Sequence, residues 1–363
     1  MRTYPKLKVD LNKFRENYRI INQICKNNGV EMAFVIKGCA GFKKVCETAV
    51  LEGSKMIATS RFEQFARLGE DWHKAKKLLL RIPMPSEIPD VVKWCDISLE
   101  SDFKVLQELN KEAKKQMKIH QVILMVDLGD LREGFWNQED LIKTALVVEN
   151  SMENLELVGV GTNLFCYGAV KPTPEKMDQL ASVAEKVELA IGRSLKYVSG
   201  GGTTSIPMLC DNTMNEKINM LRIGEALILG RDLLEIFGCQ LEGMHNDVFV
   251  LESQLAEVYE KPSYPEGEFI VDAFGLKPEF EDKGIIKHGI VGAGKVDYGY
   301  SDMLIPRDKG LEVLGASSDH TIVNLTDMDG EPKVGDVVSF NLAYANIVHL
   351  ASRNDINVEY VGE

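Results

Sequence analysis

The feature that most constrains this chain is an alternation. Eight short β-rich runs recur, at Met32–Ile36, Met56–Thr59, Leu78–Ile82, Cys95–Ser98, Gln121–Asp127, Leu155–Gly161, Lys196–Ser199 and Ile218–Arg222. Most are too apolar to alternate, as strands covered on both faces should be. The segments between them carry helical spacing. Asp102–Gln116 places Phe103, Leu106, Leu109 and Ala113 on one side, and Glu175–Ile191 does the same with Met177, Leu180, Val183, Ala184 and Val187. A further amphipathic helix, through Leu11, Phe14, Tyr18, Ile21 and Ile24, precedes the first run. Eight β/α alternations over roughly 230 residues match a (β/α)8 barrel. A doubly wound sheet is the competing fold, because the fourth run is weaker than the rest.

After about Asp232 helical periodicity fades. Short β-like runs follow, at Asp247–Leu251, Phe269–Asp272, Ile290–Ala293, His320–Leu325 and Val337–Phe340, separated by turn signals. The expected division is a barrel over residues 10–235 and a C-terminal β-domain over 236–363. Residues 1–9 include a strand, Lys6–Asp10, that suits either part.

Bulk properties exclude several classes. A net charge of −13 argues against a nucleic-acid partner. No apolar run is long enough for a membrane span. The opening Met1-Arg2-Thr3-Tyr4-Pro5-Lys6 lacks the apolar core of a signal peptide. The seven cysteines are odd in number, scattered and without a Cys-x-x-Cys pair. That pattern fits reduced thiols in the cytoplasm rather than disulfides or zinc. The six histidines are dispersed, so no metal is expected. Walker, His-Glu-x-x-His and Gly-x-Ser-x-Gly patterns are missing.

In such barrels active sites collect at the C-terminal ends of the strands. Lys37 directly follows the first counted run, in Phe34-Val-Ile-Lys37-Gly-Cys-Ala-Gly41. Partial burial there would lower its pKa and make its amine nucleophilic enough for Schiff-base chemistry. A lysine snorkelling at the rim is about as good a reading of this segment alone. Ser199-Gly-Gly-Gly202-Thr203-Thr204 follows the seventh run, and Gly-rich turns offer N–H groups to phosphate. The eighth ends in Leu221-Arg222-Ile223-Gly224-Glu225. Loops seven and eight are where barrels frequently bind phosphate. A strand-end lysine with a two-loop phosphate site is the constellation of a pyridoxal phosphate (PLP) barrel. After the fifth run, Arg132 could orient a substrate carboxylate, or simply form a surface ion pair. Asn163, after the sixth, lines the same mouth or satisfies a local turn.

With these residues in view, the sequence resembles the alanine racemase family of fold-type III PLP enzymes, and within it the branch acting on ornithine. The anchors are Val35-Ile-Lys37-Gly, Gly129-x-x-Arg132-x-Gly134, Gly161-Thr-Asn163, Leu221-Arg222-Ile-Gly224, Gly299-Tyr300-Ser-Asp302 and Ala343-Tyr344. The resemblance implies that Lys37 carries PLP and serves as one of two bases, and that Arg222 faces the pyridine nitrogen. Gly224 and Glu225 match backbone phosphate contacts, Tyr344 a phosphate-contacting tyrosine, and Arg132 an arginine on the substrate-carboxylate side. It also implies a homodimer in which one subunit's β-domain completes the other's barrel mouth.

The departures are specific. A family lysine that is often carbamylated falls at Met125, the histidine packed on the cofactor ring at Asn163, and a phosphate-binding tyrosine at Gly41. The second base is a tyrosine in a Ser-Tyr-Gly segment, matched here by Ala273-Phe274-Gly275. Phe274 cannot take a proton, so either another residue serves, with Tyr300, then Tyr298 and His320, as the candidates, or the reaction is not a standard two-base racemisation. Asp319 matches the segment that reaches the partner's site, and is either the partner of an ornithine ammonium or a turn cap. Competing functions are racemisation of alanine, serine or lysine, a related PLP decarboxylase, a PLP-binding carrier or regulator without turnover, and a PLP-free barrel.

Overall fold

The computed structural model describes residues 3–70, 72 and 74–362. Met1 and Arg2 of the opening segment lie outside the described residues. The chain divides into two compact units. One holds the chain up to Phe14 and from His245 onward; the other is Arg15–Met244.

A strand β1 (Lys6–Asp10) precedes the barrel, whose strands are β2 (Glu31–Val35), β3 (Met56–Thr59), β4 (Lys76–Leu79), β5 (Ile97–Glu100), β6 (His120–Met125), β7 (Leu155–Gly161), β8 (Tyr197–Ser199) and β9 (Met220–Ile223). They form a closed sheet in sequence order. Closure excludes the doubly wound alternative: β9 returns to β2 in parallel, from Glu31 opposite Met220 to Phe34 opposite Ile223. Each of the eight runs becomes a strand; Met56–Thr59 and Leu155–Gly161 keep their bounds and the other six have shifted ends. The weak fourth run moves two residues toward the C-terminus at both ends. Cys95 closes the helix Ile88–Trp94 through its N–H to Val91, and the Asp96 carboxylate takes the Lys77 N–H at 2.8 Å. The strand therefore starts at Ile97.

Strand alternation fixes what points inward. Ala33, Val35, Ile97, Leu99, Ile123, Met125, Tyr197 and Met220 pack together as the interior. Gly159 stays a glycine because a Cβ there would stand 2.3 Å from the Tyr197 carbonyl oxygen. Local signals set the surrounding helices. Asp102 caps Phe103–Lys115 by accepting from Lys104 and Val105 N–H groups. Thr173 caps Pro174–Ile191, and Gly192, at φ +75°, ends it.

The other unit is β-rich: β10 (Phe249–Pro262), β11 (Ile285–Val291), β12 (Ile305–Pro306), β13 (Glu312–Ala316), β14 (Thr321–Asn324), β15 (Val337–Asn341) and β16 (Asn357–Val361). The order is β12-β15-β10-β11-β14-β13. β1 joins this sheet, antiparallel to β10 and parallel to β16. The run Phe269–Asp272 is not a strand. Asp272 instead accepts N–H bonds from Phe274 and Leu276, which folds the segment into a turn. No helix among the described residues is long and apolar enough to cross a membrane.

Candidate active site

Lys37 continues the inward parity of Ala33 and Val35, one residue past Ile36 at the end of β2. It opens a single 3-10 turn, Lys37–Cys39, closed by Ala40 in the left-handed region. Burial lowers the proton affinity of its amine. The nearby cations Arg132 and Arg222 push in the same direction, against Cys166 and Glu133. A lysine so placed gives up its proton more readily than a surface lysine does.

Arg222 shares the inward parity of Met220 and is 6% exposed. Its Nη1 donates to the Ser199 hydroxyl at the end of β8, and its Nη2 to the Thr162 carbonyl at 2.8 Å. The Asn163 side-chain oxygen accepts a longer bond at 3.4 Å. Burial pulls the Arg222 pKa down to about 10, still well above neutrality. Arg222 is therefore a fixed cation held by neutral acceptors, with no carboxylate hydrogen-bonded to it among the described residues.

The two glycine turns meet beside it. Gly201 takes φ +102° and its carbonyl accepts the Arg222 N–H at 2.9 Å. The Ser205 hydroxyl donates to the Gly200 carbonyl at 2.7 Å, tightening the turn. A Cβ on Gly202 would stand 3.0 Å from the Arg222 carbonyl, and one on Gly224 3.1 Å from that of Val35. The Thr203 hydroxyl accepts the Ala226 N–H at 3.4 Å, joining the loops after β8 and β9. Glu225 turns its carboxylate away from this cradle, taking the Arg231 and Asp232 N–H groups at 2.9 and 3.2 Å. Burial raises its pKa to about 7, with help from Asp232. What remains at the cradle is backbone and hydroxyl, suited to an anion.

The loop after β6 is rigidly built. Asp127 accepts from the Gly129 and Leu131 N–H groups, and Gly134 must be glycine, because a Cβ would sit 2.3 Å from the Asp127 nitrogen. Asp130, 1% exposed, ties this loop to the loop after β7 through the N–H groups of Cys166, Tyr167 and Val170. The tie brings the Arg132 Nη1 to 3.1 Å from the Cys166 sulfur. The Nε and Nη2 of Arg132 pair with both oxygens of Glu133.

One end of the barrel thus gathers Lys37, Arg132, Asn163, Gly202, Thr203, Arg222, Gly224 and Glu225. Tyr300, Asp319 and Tyr344 belong to the β-rich unit. Tyr300 is 53% exposed, with its backbone carbonyl held by Asn346 at 2.8 Å. Asp319 is exposed in the turn before β14, and Tyr344 begins the helix Tyr344–Ser352. Tyr298 is fully buried, its hydroxyl bonded to Thr321 at 2.5 Å and its pKa pushed up to about 12 by burial. That makes it a packing residue rather than a base. Sequence reasoning passed over Glu133, Cys166 and Asp130. The adjacency of Glu133 to Arg132 was the one signal for them.

The fold and this site define a parallel (β/α)8 barrel that sets a nucleophilic amine beside an anion cradle. Residues 9–232 match the family described as alanine racemase, N-terminal domain. The chain is 44% identical over 346 residues to the ornithine racemase of Acetoanaerobium sticklandii, covering 95% of this chain and 96% of that one. It is 38% identical over 345 residues to the lysine racemase of Thermotoga maritima, covering 94% of each. The alanine racemase from Bartonella henselae, solved with covalently bound pyridoxal phosphate, superposes with a TM-score of 0.72 at 17% identity, covering 98% of this chain and 99% of that one. The chain belongs to the alanine racemase family.

Proposed function

We propose that this protein is a PLP-dependent racemase that interconverts L- and D-ornithine. The observation carrying the proposal is Lys37, a mostly buried strand-end lysine of lowered proton affinity beside a glycine cradle and a fixed Arg222. These residues fit the cofactor: the cradle has space a Cβ would fill, and its donors suit a phosphate. Lys37 would hold PLP, with Gly202, Thr203, Gly224, the Glu225 backbone and Tyr344 toward its phosphate, Asn163 beside the ring and Arg222 toward the ring nitrogen. Bound there, PLP supplies an electron-withdrawing system that acidifies the α-carbon.

The chain's own residues do the rest. Lys37 takes and returns a proton at the α-carbon, which its lowered pKa favours. Tyr300 is the second base, and Arg132 orients the α-carboxylate. Asp319 pairs with the distal ammonium. Tyr300 and Asp319 come from a second copy of the chain, in a cytoplasmic homodimer with shared sites. The names of the two relatives support a basic substrate, and lysine, one methylene longer than ornithine, is the second reading.

The test is chiral chromatography of L-ornithine and L-lysine incubated in deuterium oxide with PLP-loaded protein. Both enantiomers should appear, carrying deuterium, with ornithine the faster substrate. The Lys37→Ala protein should lose turnover together with the visible absorbance of the lysine-bound cofactor. Wild-type protein without that absorbance, or an ornithine sample of unchanged chirality, refutes the reading.

A further inference from the structure

The barrel mouth holds one charge that the racemase reading leaves unused. Glu133 is 11% exposed and engages the Nε and Nη2 edge of Arg132 with both oxygens. The third polar edge of Arg132 faces Cys166. Glu133 also stands close enough to Lys37 and Arg222 for its charge to act on each of them. A substrate carboxylate reaching for Arg132 therefore meets a carboxylate already there.

We propose that Glu133 selects substrates with a distal ammonium by an exchange of ion pairs, in which the substrate's α-carboxylate takes Arg132 and its ammonium takes Glu133. The inference rests on the reading that this site racemises amino acids. Displacing Glu133 from Arg132 leaves a poorly hydrated carboxylate without a partner, which is strongly unfavourable. An amino acid with a neutral side chain offers nothing to offset that. Ornithine and lysine carry the replacement cation at the far end of the molecule that displaced it. The two halves of the pair are neighbours in a loop fixed by Asp127, Asp130 and Gly134, so side-chain rotation suffices for the exchange. Asp319 would reach the same ammonium from a second copy as a further acceptor, whereas Glu133 acts within the same barrel and needs no second copy.

Norvaline is the probe, because it has ornithine's carbon chain without the ammonium. Racemisation of ornithine and norvaline is measured on PLP-loaded wild-type, Glu133→Gln and Glu133→Asp proteins, with calorimetric binding of both amino acids alongside. A charge-assisted contact predicts that Glu133→Gln lowers the ornithine-to-norvaline ratio of kcat/KM by about tenfold to a hundredfold, mainly through KM for ornithine. Glu133→Asp should restore part of the ratio. A ratio that moves less than about threefold, with both substrates slowed together, overturns the proposal. Should Glu133→Gln fail to fold, the Glu133→Asp ratio decides. A wild type that racemises no amino acid refutes the racemase reading alone, since ornithine should still bind about tenfold more tightly than norvaline. Equal binding of the two refutes the role of Glu133.

Discussion

Glu100 gives the most quantitative prediction. It lies on β5, where the alternate residues Ile97 and Leu99 face the barrel interior, so Ser98 and Glu100 face outward beneath the helices. The side chain is fully buried. Ser98 donates to one carboxyl oxygen and also bonds the His120 Nε2 at 2.9 Å, while the second oxygen, Oε2, has no hydrogen-bond partner among the described residues. Burial raises the Glu100 pKa to about 8 and lowers that of His120 to about 4. Both groups are therefore neutral in the folded protein at pH 7. A carboxyl whose folded pKa lies above its unfolded value favours the folded state fully only at low pH. That contribution is lost as pH rises from about 4.5 through about 8.

Between pH 5 and 8 the unfolded chain releases this proton and the folded chain largely keeps it. At about 1.4 kcal/mol per pH unit, wild-type protein should lose about 3 kcal/mol from Glu100 alone. Glu100→Gln keeps an acceptor for Ser98 and cannot ionise, so it should erase that loss. The assay is urea unfolding at both pH values, followed by tryptophan fluorescence. Trp72, Trp94 and Trp136 all belong to the unit Arg15–Met244 and report on the barrel. Comparing the pH-dependent change of the two proteins cancels every other titrating group. If the variant loses as much stability as wild type over this range, Glu100 is not held neutral and the argument fails.

Two further predictions concern the proposed dimer. Lys37→Ala and Tyr300→Phe proteins, each inactive, should recover about a quarter of wild-type activity when refolded together in equal amounts, because half the dimers then carry one intact site. No recovery would remove Tyr300 from a shared site. Asp319→Asn should raise KM for ornithine without changing the melting temperature, and unchanged ornithine kinetics would dismiss its pairing with the ammonium.

The barrel was legible because its strands are covered on both faces, which leaves unbroken apolar runs in the sequence. Their ends were less so, since helix closure at Cys95 and the Asp96 carboxylate decide where β5 begins. The β-rich unit read worse. β10 runs from Phe249 to Pro262 with one exposed face, so only its apolar start stood out. Phe269–Asp272 imitated a strand because aromatic composition says nothing about a carboxylate that caps a turn. At the site, strand ends made Lys37 and Arg222 visible. The contacts of Asp130 with residues 166–170 join loops about forty positions apart and have no spacing to betray them.

Met125 sharpens the question of what Glu133 does. It points into the barrel, fully buried, where the family resemblance places a lysine that often becomes an anion through carbamylation. Met125 carries no charge, yet Arg132 still has an anionic partner, now supplied by Glu133 from its own loop. A purely orienting role would follow if Glu133 only replaced that missing anion. Orientation of Arg132 serves the α-carboxylate common to every amino acid, so its loss would slow ornithine and norvaline alike. Recognition of the distal ammonium would separate them. The burial of Glu133 gives recognition its leverage: a carboxylate only 11% exposed is costly to leave unpaired, so a substrate that takes Arg132 without supplying a cation is disfavoured.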